Sequence, residues 1–194
     1  MKKKVILLLV LMQFISCNTT KKKDFADENC SIILNSVNSV IYLGEKRDAY
    51  LDQLIDEVKN GKKTDAKNVS EIQKLEKEIN KTLTENLKIL KIEFAKNKSE
   101  KVFDVTIQYL TKVLELEKQF PKLVSDLSDN NPENNSRFSA SIKKASEEVL
   151  KFYALYRDAM RKYLEVHNIN EKDLIQSRKP LTEILSRSKY LTCS

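Results

Sequence analysis

The chain has 194 residues, of which only 2 are glycine and 3 proline, with 32% charged residues and a formal net charge of +7. So few turn residues exclude a fold built on sheet hairpins, and the lack of any glycine-rich stretch excludes loops that cradle phosphate. One histidine and three cysteines leave little material for a metal site or for nucleophile–histidine chemistry.

The N-terminus begins with a basic cluster, Met1 to Lys4, followed by an apolar run from Val5 to Met12, with Phe14 and Ile15 beyond Gln13. That run is about half the roughly 20 residues a membrane-crossing helix needs. A basic start and a short apolar stretch form the pattern of an export signal that is later removed. It ends in Phe14-Ile15-Ser16-Cys17. A cysteine thiol there can accept a diacylglycerol thioether, and the small Ser16 lets a peptidase approach. Ile15 is bulkier than is usual before such a cysteine. The reading is a lipoprotein signal peptide over residues 1–16, a lipidated Cys17 with a flexible polar tether over 17–26, and one helical domain over 27–194. Removing sixteen residues from 194 leaves 178, enough for one ordinary domain, and takes the charge from +7 to +4 with the loss of Lys2, Lys3 and Lys4. No later segment is long and apolar enough to span a bilayer, so the acyl chains are the expected anchor, and several chains make attachment durable.

Apolar spacing of three and four residues recurs through the rest of the chain, the period that stacks side chains on one helical face. A first helix is expected over 27–60, with Ile33, Val37, Val40, Ile41, Leu51, Leu54, Ile55 and Val58 on one side, Gly44 as a point of interruption and Asn60-Gly61 as its end. A second is expected over 68–97 on Val69, Ile72, Leu75, Ile79, Leu83, Leu87, Leu90 and Phe94. A third, over 99–127, carries Phe103, Ile107, Leu110, Val113, Leu114, Phe120, Val124 and Leu127, and Pro121 should kink or split it. Residues 128–135 read as a linker. The fourth helix, 137–166, has the cleanest register: Phe138, Ile142, Ala145, Val149, Phe152, Tyr156, Ala159, Tyr163 and Val166, a seam of coiled-coil type that must face other helices. Asn170 and Asp173 look like the cap of a fifth helix holding Leu174, Ile175, Leu181, Ile184 and Leu185, with Pro180 kinking or restarting it. The fold class is all-α, an elongated antiparallel bundle of four to five helices.

Cys30 and Cys193 lie near opposite ends of this domain. In an exported protein they either form a disulfide, closing a loop of roughly 160 residues worth about 5 kcal/mol in the chain-entropy model, or remain two buried thiols. The one histidine, His167, sits just past the fourth seam and reads as a helix-end residue near the negative end of the helix dipole. Carboxylate pairs such as Asp56-Glu57 and Glu147-Glu148 read as solvated surface. With no Gly-x-Ser-x-Gly turn, the chain reads as non-catalytic, without cofactor or metal, and a hydrolase built on His167 is the weaker class.

Charge is unevenly spread. From Cys17 to Ser136, 20 Lys+Arg stand against 21 Asp+Glu, a net of −1; from Arg137 to Ser194, 12 stand against 7, a net of +5. Arg137, Arg157, Arg161, Arg178 and Arg187 are five of the six arginines. Arginine's planar fork suits sulfate, phosphate and carboxylate, so Arg157, Arg161, Arg178 and Arg187 are candidate ligand contacts. On an exported, anchored domain such a region meets sulfated glycans or acidic protein surfaces rather than nucleic acid. An ordinary solvated face is the competing reading.

The lysine- and asparagine-rich composition, the Phe14-Ile15-Ser16-Cys17 box, the polar stretch after it and the all-helical remainder together resemble the surface lipoproteins of Lyme-disease Borrelia. The specific part of the resemblance covers Met1 to about Lys23. It implies an outer-membrane protein facing outside the cell, of a group in which several members bind host matrix components or complement regulators. The expected function is a lipid-anchored surface protein binding a host macromolecule; the alternative is a lipid-anchored periplasmic structural or assembly protein. If Cys17 carries the lipid, Cys17→Ala should block acylation and leave the protein out of the detergent phase on phase partitioning. Normal partitioning of that variant would refute the anchor.

Overall fold

The computed structural model of the protein describes the backbone of residues 2–96, 98, 100–128 and 132–170, and the side chains within them from Phe25 onward, 132–135, 138, 139 and 142 excepted. It is an all-α bundle: α1 (Lys2–Lys59), α2 (Ala66–Lys96), α3 (Lys101–Glu117), α4 (Phe120–Ser128) and α5 (Pro132–His167). Among the described residues there is no strand. The expected fifth helix beyond Asn170 lies outside them.

α1 runs without a break through the stretch 17–26 read as a tether, where no glycine or proline interrupts it. Among the described side chains, Ala26 is already packed at 1% exposed, while Phe25 beside it is half exposed. Gly44 does not interrupt the helix. Nothing lies within 4 Å of where its Cβ would be, so the position is open space and costs only glycine's backbone entropy. The end of α1 was legible. Gly61 has φ +64°, the Gly61 N–H donates to Val58 O and the Lys62 N–H to Glu57 O, the paired bonds of a Schellman closure. The Glu57 carboxylate then accepts from the Asp65 N–H and from Asn68 Nδ2, and Asp65 Oδ1 caps the start of α2 through the Lys67 N–H.

The third expected helix is split into α3 and α4, and Pro121 is the cause. Its ring would clash with the carbonyl four residues back, Glu117, and it has no N–H to give, so α3 closes at Glu117. Lys118 and Gln119 form the joint, their N–H groups donating to Leu114 O and Leu116 O, and Pro121 falls in the first turn of α4 where a missing donor costs nothing.

Cross-links fix the helix directions. Asn86 of α2 donates to Ser36 O of α1 while Asn68 meets Glu57, so α1 and α2 are antiparallel. Tyr109 of α3 stacks on Tyr156 of α5 at 5.6 Å, and His167 Nε2 lies 3.5 Å from Glu100 Oε1, so α3 and α5 are antiparallel as well. The main core is built from Cys30, Ile33, Val37 and Val40 of α1, the α2 stripe from Leu75 to Leu90, Val102 to Val113 of α3, and Tyr156, Met160 and Tyr163 of α5. A second, smaller core joins Leu54 and Val58 of α1, Ile72 of α2 and Phe120, Leu123, Val124 and Leu127 of α4.

The α5 seam is only partly right. Tyr156 and Tyr163 are buried, but Phe152 is half-buried and Val166 is 76% exposed, and Met160 is buried in the groove between Tyr156 and Tyr163. α5 lies mainly along α3, and Val149, Phe152 and Ala159 of its stripe pack only partly buried against the main core. By Val166 it has reached the level of Glu100, where α3 begins. Its end is closed like that of α1, with Asn168 at φ 54° and the Ile169 N–H donating to Leu164 O. Phe103→Ala, at a fully buried ring, should therefore cost about 3–5 kcal/mol in urea unfolding, and Phe152→Ala roughly half of that or less. Equal losses at the two sites would contradict this placement of α5.

Candidate functional site

The residues singled out from sequence are not brought together. Cys17 lies on α1, eight residues before the first described side chain. Cys30 is fully buried in the main core, facing Tyr156 and Tyr163, and Cys193 lies outside the described residues. Arg157 and Arg161 are both exposed, one turn apart on α5. Arg161 is engaged there, 2.8 Å from Asp158 Oδ1 and 3.8 Å from Glu165 Oε1. Arg178 and Arg187 lie outside the described residues. His167 closes α5 as expected, its ring 4.4 Å from that of Tyr163. Tyr163 in turn donates from its hydroxyl to Ala26 O at 3.3 Å, and burial pushes that hydroxyl's pKa up to about 12.

The most unusual chemistry lies elsewhere, between the two cores. Arg47 of α1 is 6% exposed and donates from Nη1 to Glu117 Oε2 at the end of α3, a carboxylate 4% exposed. Its Nε and Nη2 both reach Asp48 Oδ1, at 3.2 and 3.0 Å, and its guanidinium lies 3.8 Å from the centre of the Phe120 ring. Glu76 of α2, 3% exposed, completes the layer. Each member sits where its helix passes from one core to the other: Arg47 between Leu43 and Leu54, Glu76 between Ile72 and Ile79, Glu117 between Val113 and Phe120.

Nothing in the hydropathy of single residues marked this layer, but the register did. On α1 the steps of four and three through Ile33, Val37, Val40, Gly44, Arg47, Leu51, Leu54 and Val58 place Arg47 on the apolar seam. On α2 the same steps through Ile72, Glu76, Ile79 and Leu83 place Glu76 there. On α3, Phe103, Thr106, Leu110, Val113, Glu117 and Phe120 do so for Glu117. A charge at a seam position is buried by its neighbours whatever its own preference, and the sequence reading singled out neither Glu76 nor Glu117.

The second polar insertion is neutral. Asn86, on the same α2 register, donates from Nδ2 to Ser36 O and Ser39 Oγ at 2.8 and 2.9 Å. A third feature is aromatic: Tyr109, Tyr153 and Tyr156 lie with ring centres 5.4 to 6.0 Å apart, and burial raises the hydroxyl pKa of Tyr109 and Tyr156 far above the ordinary value.

The sequence matches no family model, no curated protein and no solved structure. Among the described residues no group of three or more His, Cys, Asp or Glu could hold a metal ion, and no helix is long and apolar enough to cross a membrane. The charged layer can hold helices in register and can hold a proton; it presents no nucleophile beside a base. Arg47→Met strips Glu117 of its partner inside the bundle and should destabilise the protein by about 3–5 kcal/mol in urea unfolding at pH 7, whereas Arg47→Met with Glu117→Leu should recover most of that loss. Equal losses in the single and double variants would show that the pair is not a buried unit.

Proposed function

We propose that this protein is a lipid-anchored bacterial surface protein of adhesin or immune-evasion type, which binds a host macromolecule and is non-catalytic. The observation that carries the reading is the Met1–Cys17 segment: basic start, short apolar run and Ser16-Cys17, followed by the polar Asn18 to Asp24. A helical bundle joined by short connections suits such a role, since it presents long solvent-facing surfaces without needing a pocket. The resemblance to Borrelia surface lipoproteins points the same way and favours the outer face of the outer membrane over the periplasmic one.

The contact favoured by charge is the exposed pair Arg157 and Arg161 of α5, with a sulfated glycan or an acidic protein patch as partner. Arg161 enters such a contact by exchanging Asp158 and Glu165 for the ligand, so Arg157 contributes more of the gain. Protease treatment of intact cells tests location: loss of the protein places it outside, and survival places it in the periplasm and overturns the surface reading. For the contact, affinity for heparin-like chains should weaken between low and physiological salt, and Arg157→Ala/Arg161→Ala should lower it by on the order of tenfold. Unchanged binding of every ligand by the double variant would make this face ordinary solvated surface.

A further inference from the structure

Among the described residues, Glu76 Oε1 is the buried side-chain oxygen left without a hydrogen-bond donor. The donors that could have served it are committed elsewhere, since Arg47 spends its fork on Glu117 and Asp48. The groups facing Glu76 are Arg47 of α1 and Glu117 of α3, with Asp48 bound to the outer side of Arg47. Two buried carboxylates therefore share one buried guanidinium. With both ionised the interior would carry an uncompensated negative charge and an undonated carboxylate oxygen, each costly in a dry environment. A single proton restores neutrality. Glu117 holds the direct ion pair, so the proton belongs on Glu76.

The place of this charge in the fold gives the proton a mechanical consequence. The layer separates the main core from the smaller one, which rests on the nine residues of α4, the last turns of α1 and the first of α2. α4 joins α3 through Lys118 and Gln119, where Pro121 has already broken the helix. Lifting this lobe admits water to Glu76 and leaves the cluster around Phe103 and Leu110 packed. We propose that the Arg47–Glu76–Glu117 layer is a proton-operated latch: Glu76 keeps the α4 lobe docked while it carries its proton, and the lobe opens when the proton leaves.

Burial pushes the Glu76 carboxyl up to about 7 from an ordinary value of 4.5, with Arg47 pulling it down and Glu117 pushing it further up. Burial likewise raises Glu117 against the pull of Arg47. A carboxyl raised in the folded state favours folding fully below its unfolded value, and that advantage is lost as pH rises through the folded value. The window is therefore about pH 4.5 to 7, with docking tightest on the acid side and no further change above.

Hydrogen–deuterium exchange on the full chain, corrected for intrinsic rate, tests this. The opening constant of Phe120–Ser128 should rise with pH, by roughly tenfold per unit at most for one proton, while that of Phe103–Leu110 stays flat. Glu76→Gln should remove the pH dependence from α4. A flat profile in the natural chain, the same slope in both cores, or the same slope in Glu76→Gln would each overturn the latch. Should Glu76→Gln fail to fold, the carbon-13 titration of the Glu76 carboxyl in the natural chain decides: a midpoint near 7 supports the proposal and one below 5 refutes it.

Discussion

The bundle is organised around the ion pair between Arg47 and Glu117, because its position decides where each helix changes partners. An arginine placed on the α1 seam cannot pack against leucines and must find a carboxylate inside the protein. Glu117 supplies it at the last residue of α3, one turn before the proline that ends the helix. On one side of the pair the neighbours of α1 and α2 are α3 and α5; on the other they are α4. A slip of α1 against α3 by one turn would bury Arg47 against Val113 or leave Glu117 without a cation, at a cost of several kcal/mol. The pair thus specifies register, as the Asn86–Ser36 contact does between α1 and α2 with neutral groups.

Much of this was legible in the sequence because long helices announce themselves through repeated apolar spacing. α2 is the clearest case: Ile72, Leu75, Ile79, Leu83, Leu87 and Leu90 were all read as one face, and all are buried. Helix ends were legible where the chemistry is local. Gly61 closes α1 because a left-handed residue is needed there, and Pro121 ends α3 because its ring excludes the turn before it. What periodicity could not show is how many sides of a helix are covered. The α5 stripe is regular to Val166, yet among its described residues Tyr156 and Tyr163 are buried, Val149, Phe152 and Ala159 are only half-buried and Val166 is exposed. The fully buried Thr106, by contrast, is polar and sits on the α3 seam with its hydroxyl donated to Val102 O at 2.6 Å, a local bond that lets a hydroxyl occupy an apolar position.

The candidate site was the least legible part. The sequence pointed to arginines near the C-terminus through charge counting, and charge counting sees surface. The few charges of the Arg47 layer do not stand out against the chain's many charged residues, and only register exposes it. The two regions answer different questions. Exposed groups such as Arg157 exchange partners readily and suit recognition, while Arg47, held by three hydrogen bonds and a ring, suits specification of the fold.

The direction of α1 connects these regions. Were Cys17 the point of attachment, Arg47 would lie thirty residues along the same helix, about 45 Å from it at the helical rise. The end of the bundle nearer the attachment is tied by Tyr163 to Ala26 and by the approach of His167 to Glu100, so α5 and α3 are joined where α1 enters the core. The other end holds the small α4 lobe and the Gly61 turn. An attachment at Cys17 would place the α3–α5 end of the bundle nearer the membrane and the small α4 lobe farther out. Arg157 and Arg161 lie toward the end of α5 that meets Ala26 of α1, so a long polyanion would meet them along the side of the bundle rather than at the α4 end. A proton lost at Glu76 would therefore loosen the outer lobe without passing through the arginine face. If Arg157 and Arg161 recognise a ligand, recognition and the pH response would reside in separate parts of one helical frame, and a variant that alters one should leave the other intact.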